Sequence, residues 1–315
     1  MASSKFKDPK FSNEEAARAW FEATRWPSGP VCPHCKGLKH YATKKAGRYR
    51  CAAKDCRKDF TVMTGTVMER SHAPLTDWAL GFHMAASSKK GVSAHQLHRM
   101  LGCEYNTAWF MWHRIREAMT RGGLEAPPMG GAGKVVEVDE TYLGGLPEHK
   151  RSEAKRTGRK WHRASQGVGT KRAILTLVER GGEARSFYVE NAPIEKVVKI
   201  VRDNVAKESR LHTDESYLYK KVGREFGAHE TVVHSRKEYA RGDVTTNTVE
   251  GFFGVFKRGM KGVYQHCDEK HLHRYLAEFD FRYSHRASLG FSDDDRAIAA
   301  VRGGEGKRLT YRQPH

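Results

Sequence analysis

Nowhere does this chain hold an apolar run near the roughly 20 residues that a membrane-crossing helix needs. Its opening stretch, MASSKFKDPKFSNEEAARAWFEATRW, also lacks the apolar core of a secretory leader, so a cytoplasmic location is expected. Cysteine is scarce: of six, four lie between Cys32 and Cys56, while Cys103 and Cys267 stand apart. Without a leader, clustered cysteines point to metal ligation rather than disulfides. Acidic residues are short as well, with 37 Asp and Glu against 56 Lys and Arg in 315 residues, a formal charge of +19. No basic amphipathic anchor helix accompanies that charge, which argues against a membrane-surface protein. Nor is there an internal repeat.

What is abundant is positive charge. A surface this basic concentrates polyanions and releases counterions on meeting a phosphate backbone, so the expected partner is double-stranded nucleic acid. Glycine and proline divide the chain. The stretch GGLEAPPMGGAGK, residues 122–134, has the composition of a linker. The expected organisation is therefore an N-terminal helix and cysteine module (1–71), a helical module (72–122), a linker (123–134), a larger domain (135–290) and a flexible tail (291–315).

The cysteines are spaced as Cys32-Pro-His-Cys35, then fifteen residues, then Cys51 and Cys56. Two tight knuckles each presenting two thiolates suit tetrahedral Zn2+. The intervening HYATKKAGRYRC reads as a hairpin turning at Ala46-Gly47, followed by a third strand near Phe60. His34 and His40 are alternative ligands, but four cysteines already complete the shell, so the zinc is expected to be structural.

In residues 75–120, one helix is expected from Leu75 to Ser87 and a second from a Ser93 cap to Leu101. After a turn at Gly102-Cys103, a third helix carries Ala108, Met111, Ile115 and Met119 at helical spacing. This outlines a DNA-reading helix-turn-helix, with Tyr105, Asn106 and Thr107 at the leading end of the recognition helix. An ordinary helical hairpin is the plainer alternative.

Beyond the linker, strands and helices alternate. KVVEVD is an apolar strand ending in Asp139; two strands around Gly181-Gly182 form a hairpin; Pro193 opens a helix; RLHT leads into Asp214; and TTNTVEGFFGVFKRGM is a helix bearing Glu250. Three strands, a helix, a strand, a helix, a strand and a helix is the order of a ribonuclease-H-like mixed sheet. The fold class expected is thus α/β and multi-domain: a zinc-ribbon β module, a helix-turn-helix module and that catalytic sheet. Asp139, Asp214 and Glu250 would converge to hold hard divalent cations, Mg2+ or Mn2+, as a two-ion site with the ions about 4 Å apart.

With VDETYLGG (138–145), TDESYLYK (213–220) and NTVEGFFGVFKRGMKGVY (247–264), the chain resembles the insertion-sequence transposases that join an N-terminal zinc ribbon to a DDE domain. The resemblance runs from CPHC to RYLAEFDFRYSHR (274–286). It implies binding of an element's terminal inverted repeats, metal-dependent phosphodiester hydrolysis, strand transfer by the freed 3′-hydroxyl, and a homodimer or larger synaptic complex near the nucleoid. Lys257, two helical turns after Glu250, stands where such families place a DNA-contacting base, with Arg258 beside it. Related enzymes are also described with Asn in the third position, so Asn247 competes with Glu250. Glu250 is preferred because an amide brings no charge to a site holding two cations.

Other groups are weaker candidates. Glu137 alternates with Asp139 and shares its side of the strand, while Glu140 and Glu215 are expected to face away. His234, at the end of the expected strand ETVVH, is placed near the site. The basic insertion between the first two strands holds seven Lys or Arg against two Glu, and Lys155, Arg156, Arg159 and Lys160 within it are candidate phosphate contacts. Two rival functions remain: a DNA-binding regulator descended from a transposase, and a ribonuclease-H-like nuclease that cuts without joining.

Overall fold

The computed structural model describes residues 7–121, 127–144, 172–189 and 193–309. The chain divides into two compact units, Met1–Gly122 with Gly290–His315 and Gly123–Leu289. The basic insertion, with Lys155, Arg156, Arg159 and Lys160, lies outside the described residues.

The first unit opens with α1 (Glu14–Arg25), capped by the Asn13 carboxamide, which accepts from the Glu15 and Ala16 amides. Three antiparallel strands follow, β1 (His40–Ala42), β2 (Arg48–Cys51) and β3 (Asp59–Thr61), ordered β1-β2-β3. The sheet is too small for a core of its own. Trp26, Tyr49 and Phe60 pack edge-on or tilted within 6.1 Å of one another. Then come α2 (Leu75–Ser87), α3 (Ala94–Leu101) and α4 (Tyr105–Met119). The Ser93 hydroxyl caps α3 by accepting from the Gln96 amide, and Gly102 ends it at φ 64°, a left-handed conformation that favours glycine. Trp112, Met111 and Ile115 on α4 are buried, whereas its first turn is exposed.

The second unit is built on a five-stranded sheet. Strands β4 (Val135–Leu143), β5 (Arg172–Glu179) and β6 (Ala184–Val189) form an antiparallel meander. Strands β7 (Arg210–Thr213) and β8 (Ala228–Thr231) add to it in parallel, giving the order β6-β5-β4-β7-β8. Alternation along each strand divides the residues between two cores. Val136, Val138, Leu175, Leu177 and Leu211 pack with α5 (Ile194–Asn204) and α6 (Tyr217–Lys220). On the other side, Leu143, Ile174 and Val178 pack with α7 (Asn247–Gly259) and α8 (Leu272–Ser284), through Val249, Phe253, Phe256, Leu276 and Phe279. A two-stranded hairpin, β9 (Ala240–Arg241) and β10 (Val244–Thr245), leads into α7. The mixed α/β architecture is the one expected.

The chain then returns to the first unit. Residues 293–303, expected as flexible tail, form α9 (Asp293–Gly303), with a capping box between Ser292 and Asp295. This helix buries Ala297, Ala300 and Val301. Its arginines bind carbonyls of the unit's N-terminal part, Arg296 that of Ala86 at 2.8 Å and Arg302 that of Thr24 at 3.0 Å. A methyl group on Gly303 would meet the Ala118 carbonyl oxygen at 2.4 Å, so only glycine allows the approach. The stripe is mostly alanine, too weak in hydrophobicity to be conspicuous among acids, glycines and arginines.

Candidate active site and cysteine cluster

Cys32 and Cys35 come from one knuckle, Cys51 from the end of β2, and Cys56 from the turn before β3. Their sulfurs all lie within 4.8 Å of one another. The Cys32–Cys56 and Cys35–Cys51 separations are 3.8 and 3.4 Å. Four thiolates about 2.3 Å from a tetrahedral zinc stand roughly 3.8 Å apart, so the donor set and its size fit the ion. The Gly37 amide, and then Cys51, hold the Cys35 thiol down at about 7, favouring the thiolate that zinc binds. Neither His34 nor His40 belongs to the cluster. The His40 ring packs edge-on against Tyr49 at 5.2 Å.

The acidic centre forms where the sheet splits. Pairing of β4 with β7 ends at Glu137 opposite His212, although β4 continues along β5 to Leu143. Beyond that point the β7 side of β4 is vacated, and Asp214 follows directly on β7. Asp139, Glu140 and Asp214 converge there, each offering a carboxylate oxygen within 4.8 Å of the others. Asp139 Oδ1 accepts from the Glu140 amide at 2.8 Å, and Asp214 Oδ1 from the Ser216 amide at 2.9 Å.

Glu140 is a correction to the alternation rule, which turns it away from Asp139. The rule fixes the face on which a side chain starts, but past the end of a neighbouring strand acids from opposite faces can meet over the gap. Glu215 does turn away, accepting from the Ser235 amide at 2.9 Å.

Glu250 stands outside this tight group, in the first turn of α7 and half-exposed. Its Oε1 accepts from the buried Thr246 hydroxyl at 2.9 Å and lies 3.6 Å from His234 Nε2. Asp139 feels its charge. Asn247 is exposed at the start of the same helix, where its backbone amide donates to the Thr245 hydroxyl at 3.0 Å. His234 sits in a 3-10 turn (His234–Arg236) rather than on a strand, because β8 stops at Thr231.

The cap of α7 is Glu137, whose side chain is fully buried. Its Oε2 accepts from the Thr248 and Val249 amides at 2.8 and 3.0 Å, and its Oε1 from the Thr248 hydroxyl at 2.8 Å and Arg180 Nε at 2.6 Å. A carboxylate at a helix N-terminus satisfies free amides and complements the dipole. Arg180 also donates to the Asp243 and Thr245 carbonyls at 2.7 and 3.0 Å, tying the β9–β10 hairpin to the same point. With both oxygens so engaged, Glu137 caps the helix that bears Glu250, and it lies outside the cluster of Asp139, Glu140 and Asp214. Thr246 and Arg180 are not legible in the sequence as site residues, since nothing local marks a threonine or arginine that acts through a distant partner.

Burial and then the Asp214 charge push Asp139 up to about 8; burial foremost takes Glu140 to about 7 and also raises Asp214. Carboxylates crowded in this way fit a hard cation, which would offset their repulsion. Their folded-state values exceed the unfolded ones, so the folded state binds more protons between them. The metal-free protein is therefore expected to be most stable below about pH 4 with respect to these groups, and to lose that contribution as pH rises through about 8. Thermal melting of the apo protein across that range, with and without Mg2+, checks this; a contribution that grows with pH would contradict it.

Of the remaining candidates, Tyr105, Asn106 and Thr107 form the exposed first turn of α4, and the Tyr105 ring stacks on His95 at 4.4 Å. Lys257 and Arg258 occupy the last turn of α7, half-buried and exposed respectively. Among the described residues no helix is long and apolar enough to cross a membrane.

Comparison with known proteins gives the geometry a context. Residues 130–284 match the ISXO2-like transposase domain, and residues 12–59 match the transposase zinc-ribbon domain. A protein in the transposable element ISH50 of Halobacterium salinarum, itself uncharacterized, is 28% identical over 284 residues, covering 86% of this chain and 91% of that one. The DDE-domain match spans the acidic centre and the ribbon match spans all four cysteines. With both modules present in the order expected, this chain belongs to the zinc-ribbon-containing DDE transposases of insertion sequences.

Proposed function

We propose that the protein binds the terminal inverted repeats of its element and catalyses cutting and joining of DNA at a centre formed by Asp139, Asp214 and Glu250. The observation that carries this reading is the gathering of acids from β4 and the end of β7, with Glu250 presented from α7 (Asn247–Gly259) within their electrostatic reach. When bound there, Mg2+ or Mn2+ supplies activation of the attacking hydroxyl and neutralisation of charge at the leaving oxygen. The Ser216 amide fixes Asp214, while Thr246 and His234 orient Glu250. Lys257 and Arg258 follow on the same helix and bring positive charge for the DNA backbone.

In the first unit, the exposed turn Tyr105-Asn106-Thr107 is the base-reading end of a helix-turn-helix formed by α3 and α4, and a structural zinc holds the ribbon. The insertion residues Lys155, Arg156, Arg159 and Lys160 contribute phosphate contacts. Pairing two element ends calls for a dimer or larger assembly. A labelled element end incubated with Mg2+ or Mn2+ tests the assignment. Asp139→Ala is expected to reduce cleavage and strand transfer at least about 1,000-fold, with binding of the end retained. Wild-type cleavage by that variant would remove Asp139 from the chemistry. Cleavage without joining by the wild type would favour a nuclease, and binding alone a regulator.

A further inference from the structure

We propose that Glu140 is a fourth carboxylate of the metal centre and that Tyr219 holds it in place. The inference rests on the reading of Asp139 and Asp214 as metal-holding residues. Glu140 starts from the opposite face of β4, the face shared by Val136 and Val138, which pack with α5 and α6. On that face, Tyr219 of α6 (Tyr217–Lys220) is sealed from solvent. Its hydroxyl lies beside the Glu140 side chain, and that hydroxyl and Glu140 Oε1 are both buried without a hydrogen-bond partner.

Two further charges, Asp139 and Asp214, act on the same hydroxyl. A buried polar group left unpartnered costs about 1–3 kcal/mol, and crowding a third carboxylate onto two others adds repulsion. A fold that only needed packing under α6 would place an apolar side chain here. Glu140 instead brings its carboxylate within 4.8 Å of both aspartates. A cation engaging one Glu140 oxygen leaves the other for the Tyr219 hydroxyl, which accounts for both orphaned groups. The pair also links the strand bearing Asp139 to the helix that follows Asp214. Glu137 and Glu140 thus divide the work along one strand: the first anchors the helix of Glu250, and the second faces the cation.

The test uses the full chain without DNA, with Mn2+ binding followed by electron paramagnetic resonance and stability by thermal melting. Glu140→Gln is expected to weaken Mn2+ binding about 10-fold, and Tyr219→Phe by a comparable factor, since removing a ligand's supporting hydrogen bond commonly costs that much. In the metal-free protein, Glu140→Gln is expected to melt higher than wild type, because it removes a crowded charge. A residue kept only for structure would do the reverse.

Asp139→Asn separates this inference from the reading beneath it. Wild-type Mn2+ affinity in Asp139→Asn would defeat the metal centre as a whole. Loss of binding there, together with unchanged affinity in Glu140→Gln, would overturn the role of Glu140 alone. Should Glu140→Gln not fold, Tyr219→Phe, which removes a single oxygen, decides the matter: unchanged Mn2+ affinity in that variant overturns the proposal.

Discussion

Glu137→Ala is expected to destabilise the second unit by about 3 kcal/mol and to reduce DNA cleavage at least about 100-fold, with little effect on binding of the element end. The substitution removes a fully buried carboxylate that accepts four hydrogen bonds, two from the first amides of α7, one from the Thr248 hydroxyl and one from Arg180. Each lost bond leaves a donor without its partner, and Arg180 loses its only carboxylate contact among the described residues. The helix whose first turn carries Glu250 is then free to shift relative to Asp139. Misplacing a reacting group by about 1 Å costs about 100-fold in rate, which sets the expected scale.

Glu137→Gln sharpens the test. One amide oxygen can still accept from one side of the cap, but the NH2 group must face donors on the other. An intermediate loss of stability is expected, with kcat falling more than KM rises. Equal activity and melting temperature in Glu137→Ala and wild type would show that α7 is held by its apolar face alone, through Val249, Phe253 and Phe256.

The other large effect concerns zinc. Stripping the metal with a strong chelator, or replacing the buried Cys51 by Ser, is expected to unfold the ribbon and abolish specific binding of the element end. Short metal-bound modules owe on the order of 10 kcal/mol of apparent folding energy to the ion. Here β1, β2 and β3 contribute just His40–Ala42, Arg48–Cys51 and Asp59–Thr61, with an aromatic cluster as the main apolar support. Metal analysis should give one zinc per chain, lost in Cys51→Ser and retained in Cys103→Ser, since Cys103 lies outside the cluster. Limited proteolysis should then cut between Cys32 and Cys56 while leaving the second unit intact. A chelated protein that resists cleavage there would mean that apolar packing suffices.

How legible was all this? The sequence by itself determined the features whose physics is local. Paired cysteines on tight turns can do little but hold a metal. Apolar strands that end in Asp139 and Asp214 place those acids at the rim of a sheet, and the positions of α2, α3 and α7 follow from helical spacing. Acids whose roles depend on remote partners were not readable in the same way. Glu137, weighed as a metal ligand, is a helix cap because Arg180 and the α7 amides lie against it; Glu140, read as facing away, meets the aspartates because β7 stops pairing at His212.

The C-terminal helix shows the same limit. Ala297, Ala300 and Val301 carry too little hydrophobicity to announce a buried face, and Gly303 against Ala118, with Arg296 and Arg302 on distant carbonyls, helps to make α9 part of the first unit. Alternation and periodicity state which way a side chain leaves the backbone. What it meets there is decided by where neighbouring strands end and which distant segments close the gap, and that belongs to the tertiary structure.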